Sequence, residues 1–107
     1  MRTLLDECLP TVLRLEISDH DVRTVKYMGW HGIRNGRLLE LMKESGFEAF
    51  ITIDQDLRFQ QNLRASGIGV IQLSAKSNRI EGLVPLMPQI RSVLGRIKPG
   101  ELITIGD

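Results

Sequence analysis

Two acidic positions follow runs of apolar residues of the kind that form buried strands. Asp6-Glu7 comes directly after Leu4-Leu5, and Asp54 comes directly after "FITI". A third polar residue, Ser74, follows "IGVIQL". Two carboxylates in close contact repel unless a cation or a proton sits between them. A hard dication such as Mg²⁺ or Mn²⁺ takes oxygen ligands and keeps several waters, so two or three carboxylates suffice to hold it. Such an ion can orient a water and stabilise charge on a phosphodiester. The competing reading is structural: an Asp after a strand closes a turn or caps a helix through its own side chain. The shared site requires the first and third strands to be neighbours.

Other polar residues carry weaker signals. Glu7 is a second ligand candidate or a surface residue of a first turn. Asp56 is one more candidate acid for the site, and the competing, favoured reading is the cap of the helix that follows it. At about 100° per residue, Glu40 falls opposite the Leu38-Leu39-Leu41-Met42 face and Glu44 falls near it, so both are expected in solvent. Asn35 stands at the start of that helix and brings an amide, without charge. His20 reads as surface in a polar turn. His31 lies beside Trp30 in the glycine-rich "GWHGIRNG" and reads as a packed loop side chain, with substrate contact as the alternative. No pair has zinc spacing. Gln60, Gln61, Asn62 and Arg64 read as the wet face of a helix, with phosphate or base contact as the alternative. Arg34, Arg37, Arg58, Arg64, Lys76 and Arg79 fall in or near loops that follow strands, an arrangement suited to a polyanion.

The elements that must position these residues alternate. The pattern predicts a strand over 2–5 and a short helix over 10–17, with Pro10 in its first turn. "VRTVKYM" reads as a second strand. After the glycine-rich loop, "GRLLELMKES" reads as a helix that Gly46 terminates. Strands over 49–53 and 68–73 flank a short helix over 58–65. Apolar residues recur at helical spacing from Ile80, but Pro85 and Pro88 cannot lie deep in a helix. The helix is therefore expected from about Pro85 to 97. Pro99-Gly100 is a turn, and "ELITI" a last strand. Alternating strands and helices imply crossovers and a mainly parallel five-stranded sheet. Apolar strands without alternation fit a sheet covered on both faces. Ligand sites in such sheets lie at the carboxyl ends of the strands.

Bulk properties set limits. The 107 residues fit one domain spanning 1–107, with 42% hydrophobic and 25% charged residues. The net charge of +1 gives no global field for nucleic acid or membrane, so any such contact needs a local basic cluster. The one cysteine, Cys8, cannot form an internal disulfide, and it reads as a small buried side chain. No leader pattern and no run of about 20 apolar residues is present, so a cytoplasmic location is the expectation.

Three stretches, "LLDECLP", "DVRTV…MGW.G..N..LL" and "F.TID.DL.FQQNL", resemble in order and spacing a compact group of PIN-like domains, relatives of the VapC-like toxin ribonucleases. The resemblance covers essentially the whole chain. It implies a three-layer α/β/α fold and cleavage of RNA with Mg²⁺ or Mn²⁺ held by acids. It also implies a toxin restrained by a small helix-turn-helix antitoxin, and pairing into a homodimer is common among such proteins. By this resemblance Asp6 matches the first acid of the family and Asp54 the acid after the third strand, the two metal ligands. Glu7 lies beside Asp6. Asn35 stands where the family usually carries another acid, which lowers the charge offered to a metal. Catalytic roles then fall to Asp6, Asp54, Glu7 and Asn35, and RNA contacts to Arg58, Arg64, Lys76 and Arg79.

Two rival readings follow. Asn35 supports a PIN-like module that has lost cleavage and binds a protein partner. Asp6-Glu7, Asp54 and Ser74 also fit the outline of a signalling receiver domain. That domain needs a Lys after its fifth strand and a final helix. Lys98 precedes the last strand here.

Overall fold

A computed structural model describes residues 2–17, 20–33, 35–53, 66–74 and 79–106, with the side chain of Asn35 outside that description. The five strands are β1 (Arg2–Leu5), β2 (Asp21–Thr24), β3 (Ala49–Thr52), β4 (Gly69–Ser74) and β5 (Leu102–Gly106). They form one sheet in the order β2-β1-β3-β4-β5, and every neighbouring pair is parallel. Helices α1 (Asn35–Glu44), α2 (Ile80–Leu83) and α3 (Met87–Leu94) join them, with 3-10 segments at Thr11–Ile17 and Val84–Leu86. The architecture is α/β and compatible with three α/β/α layers. The helix expected over 58–65 lies outside the described residues. Among the described residues no helix is long and apolar enough to cross a membrane.

The boundaries differ from expectation where a local hydrogen bond wins. The segment before β2 is 3-10 from Thr11, and Leu13 donates its N–H to the carbonyl of Pro10 at 3.1 Å. The spacing of Leu13 and Ile17 identified the buried side but not the hydrogen-bond pattern. β2 stops at Thr24, so residues 25–28 of the expected strand are turn. The Thr24 hydroxyl accepts the N–H of Tyr27 at 3.0 Å, and its carbonyl accepts that of Met28 at 3.2 Å. A threonine that bonds its own backbone in this way competes with the sheet ladder. Toward the C-terminal end, helix begins at Ile80, earlier than expected, and is broken into α2, a 3-10 turn and α3. Pro85 and Pro88 each fall at the start of their segment, where a missing N–H costs nothing.

α1 ends as its glycine predicts. Gly46 has φ +78°, its N–H bonds the carbonyl of Lys43, and the N–H of Phe47 bonds that of Met42 at 2.9 Å. These are the paired bonds of a Schellman cap.

Both faces of the sheet are buried, and the register sorts residues between them. The row Leu5–Ile51–Ile71–Ile103 faces one side. There it meets Leu13 and Ile17 of the 3-10 segment, Leu83 of α2, and Met87 and Ile90 of α3. The row Leu4–Phe50–Val70–Leu102 faces the other, against Leu38, Leu39 and Met42 of α1. This sorting fixes the relative hand of the crossovers. The β1–β2 and β2–β3 connections run in opposite directions across opposite faces, so they share one hand. The β4–β5 connection runs in the same direction as β2–β3 but over the opposite face, so its hand is reversed. Roughly 98% of such crossovers are right-handed, and these three cannot all be, because β4–β5 differs from the other two.

Gly46→Ala will destabilise the fold by about 1–2 kcal/mol, the cost of a left-handed backbone at a residue with Cβ. An added Cβ would meet only the Arg2 guanidinium at an ordinary 3.6 Å, so no packing clash contributes. Urea unfolding will show a lower midpoint with an unchanged slope.

Candidate functional site

The chain leaves β1 toward β2 and leaves β3 toward β4, in opposite directions across the sheet. In an open parallel sheet, the carboxyl ends of strands at such a reversal, here β1 and β3, are the usual place for a ligand. β1 and β3 are direct neighbours, as a shared site at their ends requires.

Asp6 stands at that point. Its backbone N–H extends the ladder to the carbonyl of Ile51 at 3.0 Å. Its carboxylate bridges the two strand ends. Oδ2 accepts the Thr52 hydroxyl at 2.6 Å and the Cys8 thiol at 3.5 Å, while Oδ1 accepts the N–H of Glu7 at 2.8 Å. A carboxylate offers about four lone-pair directions, and the described residues take up three of them. Thr52 is fully buried at the last position of β3. A buried hydroxyl needs a partner, and Asp6 supplies it.

Cys8 is half-buried rather than enclosed, and it belongs to the same cluster. Burial pushes its thiol up from the ordinary 9.0, opposed by a hydrogen bond from Ile53; the negative charge of Asp6 and the bond to its carboxylate raise it further, and a bond with Thr52 lowers it. The folded thiol thus binds its proton more tightly than the unfolded one. The resulting stabilisation is complete below pH 9.0 and is lost as pH rises through the folded value.

Glu7 faces a different partner. Its Oε2 lies 2.7 Å from His31 Nδ1 and accepts the N–H of Gly32 at 3.4 Å. His31 is not packed into its loop as expected: its side chain is 85% exposed, against 25% for Glu7. The loop beneath it is fixed. Trp30 donates its N–H to Val25 and stands edge-on to Phe47, with ring centroids 5.7 Å apart. Gly32 has φ +81°, which turns its N–H toward Glu7.

The remaining candidates divide. Asn35 opens α1, as expected, at the carboxyl side of the sheet, where the chain returns from β2. Ser74 is the last residue of β4, paired with Gly106, rather than a residue beyond the strand. Arg37 pairs with Glu40 at 3.0 Å on the exposed side of α1, so it is engaged there rather than in a basic rim. Glu40 and Glu44 are exposed, as helical geometry requires. His20 is half-buried rather than surface. Arg79 precedes α2, after the carboxyl end of β4. Lys98 precedes β5 at the opposite, amino edge of the sheet, its N–H bonded to Glu101. Asp54, Asp56, Arg34, Arg58, Gln60, Gln61, Asn62, Arg64 and Lys76 lie outside the described residues. Among the described residues, no three His, Cys, Asp or Glu side chains are grouped to hold a metal.

Sequence reasoning missed Thr52 and the part played by Cys8. The available signal was a hydroxyl residue closing an otherwise apolar strand. No family model, curated protein or solved structure matches the chain.

Two changes test this geometry. Thr52→Val removes the donor to a charged acceptor and will cost about 1.5–3 kcal/mol of stability in denaturant unfolding. Asp6→Asn removes the negative charge by which Asp6 raises the Cys8 thiol and leaves at most a weaker, neutral acceptor. The pH midpoint of Cys8 alkylation by iodoacetamide will therefore fall relative to the wild type; an unmoved midpoint would mean that the two side chains do not interact.

Proposed function

We propose that this chain is a metal-dependent PIN-like ribonuclease, the toxin of a toxin-antitoxin pair, which hydrolyses RNA phosphodiesters in the cytoplasm. The observation that carries the reading is Asp6: a carboxylate anchored by Thr52 at the carboxyl ends of the neighbouring strands β1 and β3, where the described residues take up three of its roughly four lone-pair directions. The order and spacing of "LLDECLP" and "F.TID.DL.FQQNL" support it.

The donor set suits a hard dication. Asp6 and Asp54 are the proposed ligands of Mg²⁺ or Mn²⁺, and oxygen donors are what such ions take. When bound, the ion would orient a water and stabilise charge on the phosphodiester. Thr52 keeps the Asp6 carboxylate in position by a charge-assisted hydrogen bond. Glu7, with Asn35 or Asp56, completes the site, directly or through water. Arg58, Arg64, Lys76 and Arg79 are the proposed contacts to the RNA backbone. A small helix-turn-helix antitoxin and a second copy of the chain are the proposed protein partners.

A second reading is a PIN-like module that binds a partner without cleaving. Asn35, an amide where the family usually carries an acid, favours it. A receiver-like domain is the weaker alternative, since Lys98 lies at the edge of the sheet away from Asp6.

Calorimetric titration of Mn²⁺ into the wild type, Asp6→Asn and Asp54→Asn proteins separates these readings. Saturable binding lost in both variants is expected, with Asp54→Asn slowing RNA cleavage by orders of magnitude while the fold is retained. An absence of Mn²⁺ binding in the wild type would favour the binding module, and wild-type cleavage by Asp54→Asn would remove Asp54 from the site.

A further inference from the structure

The Glu7–His31 pair is poorly suited to stabilising the fold. His31 is 85% exposed, and ion pairs in water contribute little. Its geometry is nonetheless held from several sides. Glu7 Oε2 meets both His31 Nδ1 and the N–H of Gly32. The N–H of Glu7 is itself fixed on Asp6 Oδ1 at 2.8 Å. The tie of Trp30 to Val25 and the turn at Gly32 set the loop that carries the imidazole. One residue along the chain from the carboxylate that Thr52 anchors, an imidazole is thus oriented by a second carboxylate. With Nδ1 engaged, Nε2 points away from Glu7 and toward solvent.

A carboxylate on Nδ1 fixes the ring's orientation and tautomer. The other nitrogen is then set to give or take a proton. Such a group, tied through Glu7 to Asp6, has a definite use in phosphodiester hydrolysis, because the departing alkoxide needs a proton.

We propose, resting on the ribonuclease reading above, that His31 is a catalytic residue that protonates the leaving oxygen, and that Glu7 is its positioning residue. In this step the oxygen of a water forms a bond to phosphorus, and the bond from phosphorus to the ester oxygen breaks. The electron pair of that bond passes to the leaving oxygen, which takes the Nε2 proton. The attacking water releases its proton to solvent. His31 is left neutral, with Nδ1–H on Glu7, and regains a proton from solvent before the next turnover.

A leaving-group substitution tests this directly. The full chain, with Mn²⁺ added, is given an RNA oligonucleotide and the same oligonucleotide with sulfur replacing the leaving oxygen at the cut linkage. A thiolate departs without a proton. His31→Gln will slow cleavage of the oxygen linkage about 10²–10⁴-fold, the usual worth of a positioned proton donor. On the sulfur linkage it will cleave at close to the wild-type rate. Glu7→Gln will show a smaller loss with the same rescue. An equal loss on both linkages, or no loss on either, overturns proton donation by His31 and leaves the ribonuclease reading standing. If the wild type cuts neither linkage, both the reading and this inference fall. His31 buries little of its side chain, and circular dichroism of His31→Gln checks that the fold is retained.

Discussion

Parallel pairing of β1 with β3 is the constraint on which the candidate site depends. Leu5 opposes Ile51, so Asp6 and Thr52 leave the sheet side by side. A shift of one residue would send the Thr52 hydroxyl to the other face and break its bond to Asp6. The apolar rows above and below set this register, since each residue of β3 is buried. Core packing and site geometry are therefore one problem here: the same alternation that sends Phe50 to one face and Ile51 to the other aligns the hydroxyl with the carboxylate. Because both faces are filled, polar chemistry is confined to the strand ends.

That confinement shapes what Asp6 can do. It is part of the structure, joining β1, β3 and the turn at Glu7 and Cys8, and it stands at the carboxyl ends of two neighbouring strands. The structural and functional readings of the residue are thus compatible. Among the described residues, three of its roughly four lone-pair directions hold this junction together. Glu7 is directed elsewhere, to His31, so the adjacent acids of "LLDECLP" have separate tasks.

The crossovers explain the asymmetry of the two faces. The reversed hand of β4–β5 places α2 and α3 on the same face as the 3-10 segment, where Arg91 Nε donates to the Glu16 carbonyl at 2.7 Å. In a doubly wound sheet with uniformly right-handed crossovers, the connection between β4 and β5 would lie with α1 instead. The strand order alone matches a receiver-like sheet, and the hand of this connection departs from it.

Much of the fold was legible in local patterns. The apolar runs at Leu4-Leu5, "FITI" and "IGVIQL" mark strands because a strand buried on both faces has no polar side to show. Gly46 marks the end of α1 because few other residues accept its φ at low cost. Boundaries failed where a side chain offered the backbone a rival bond, as at Thr24, or where prolines divided one apolar period among three short segments, as after Ile80. By itself the sequence determined the alternating α/β order, the strand-end position of Asp6, and the solvent faces of Glu40 and Glu44. These follow from periodicity and turn chemistry, which act over a few residues. Only the tertiary structure decided that Asp6 meets Thr52 and Cys8, that Glu7 turns to His31, and that the β4–β5 connection reverses its hand. Those contacts join residues brought together by strand pairing and loop path, and no local spacing encodes them.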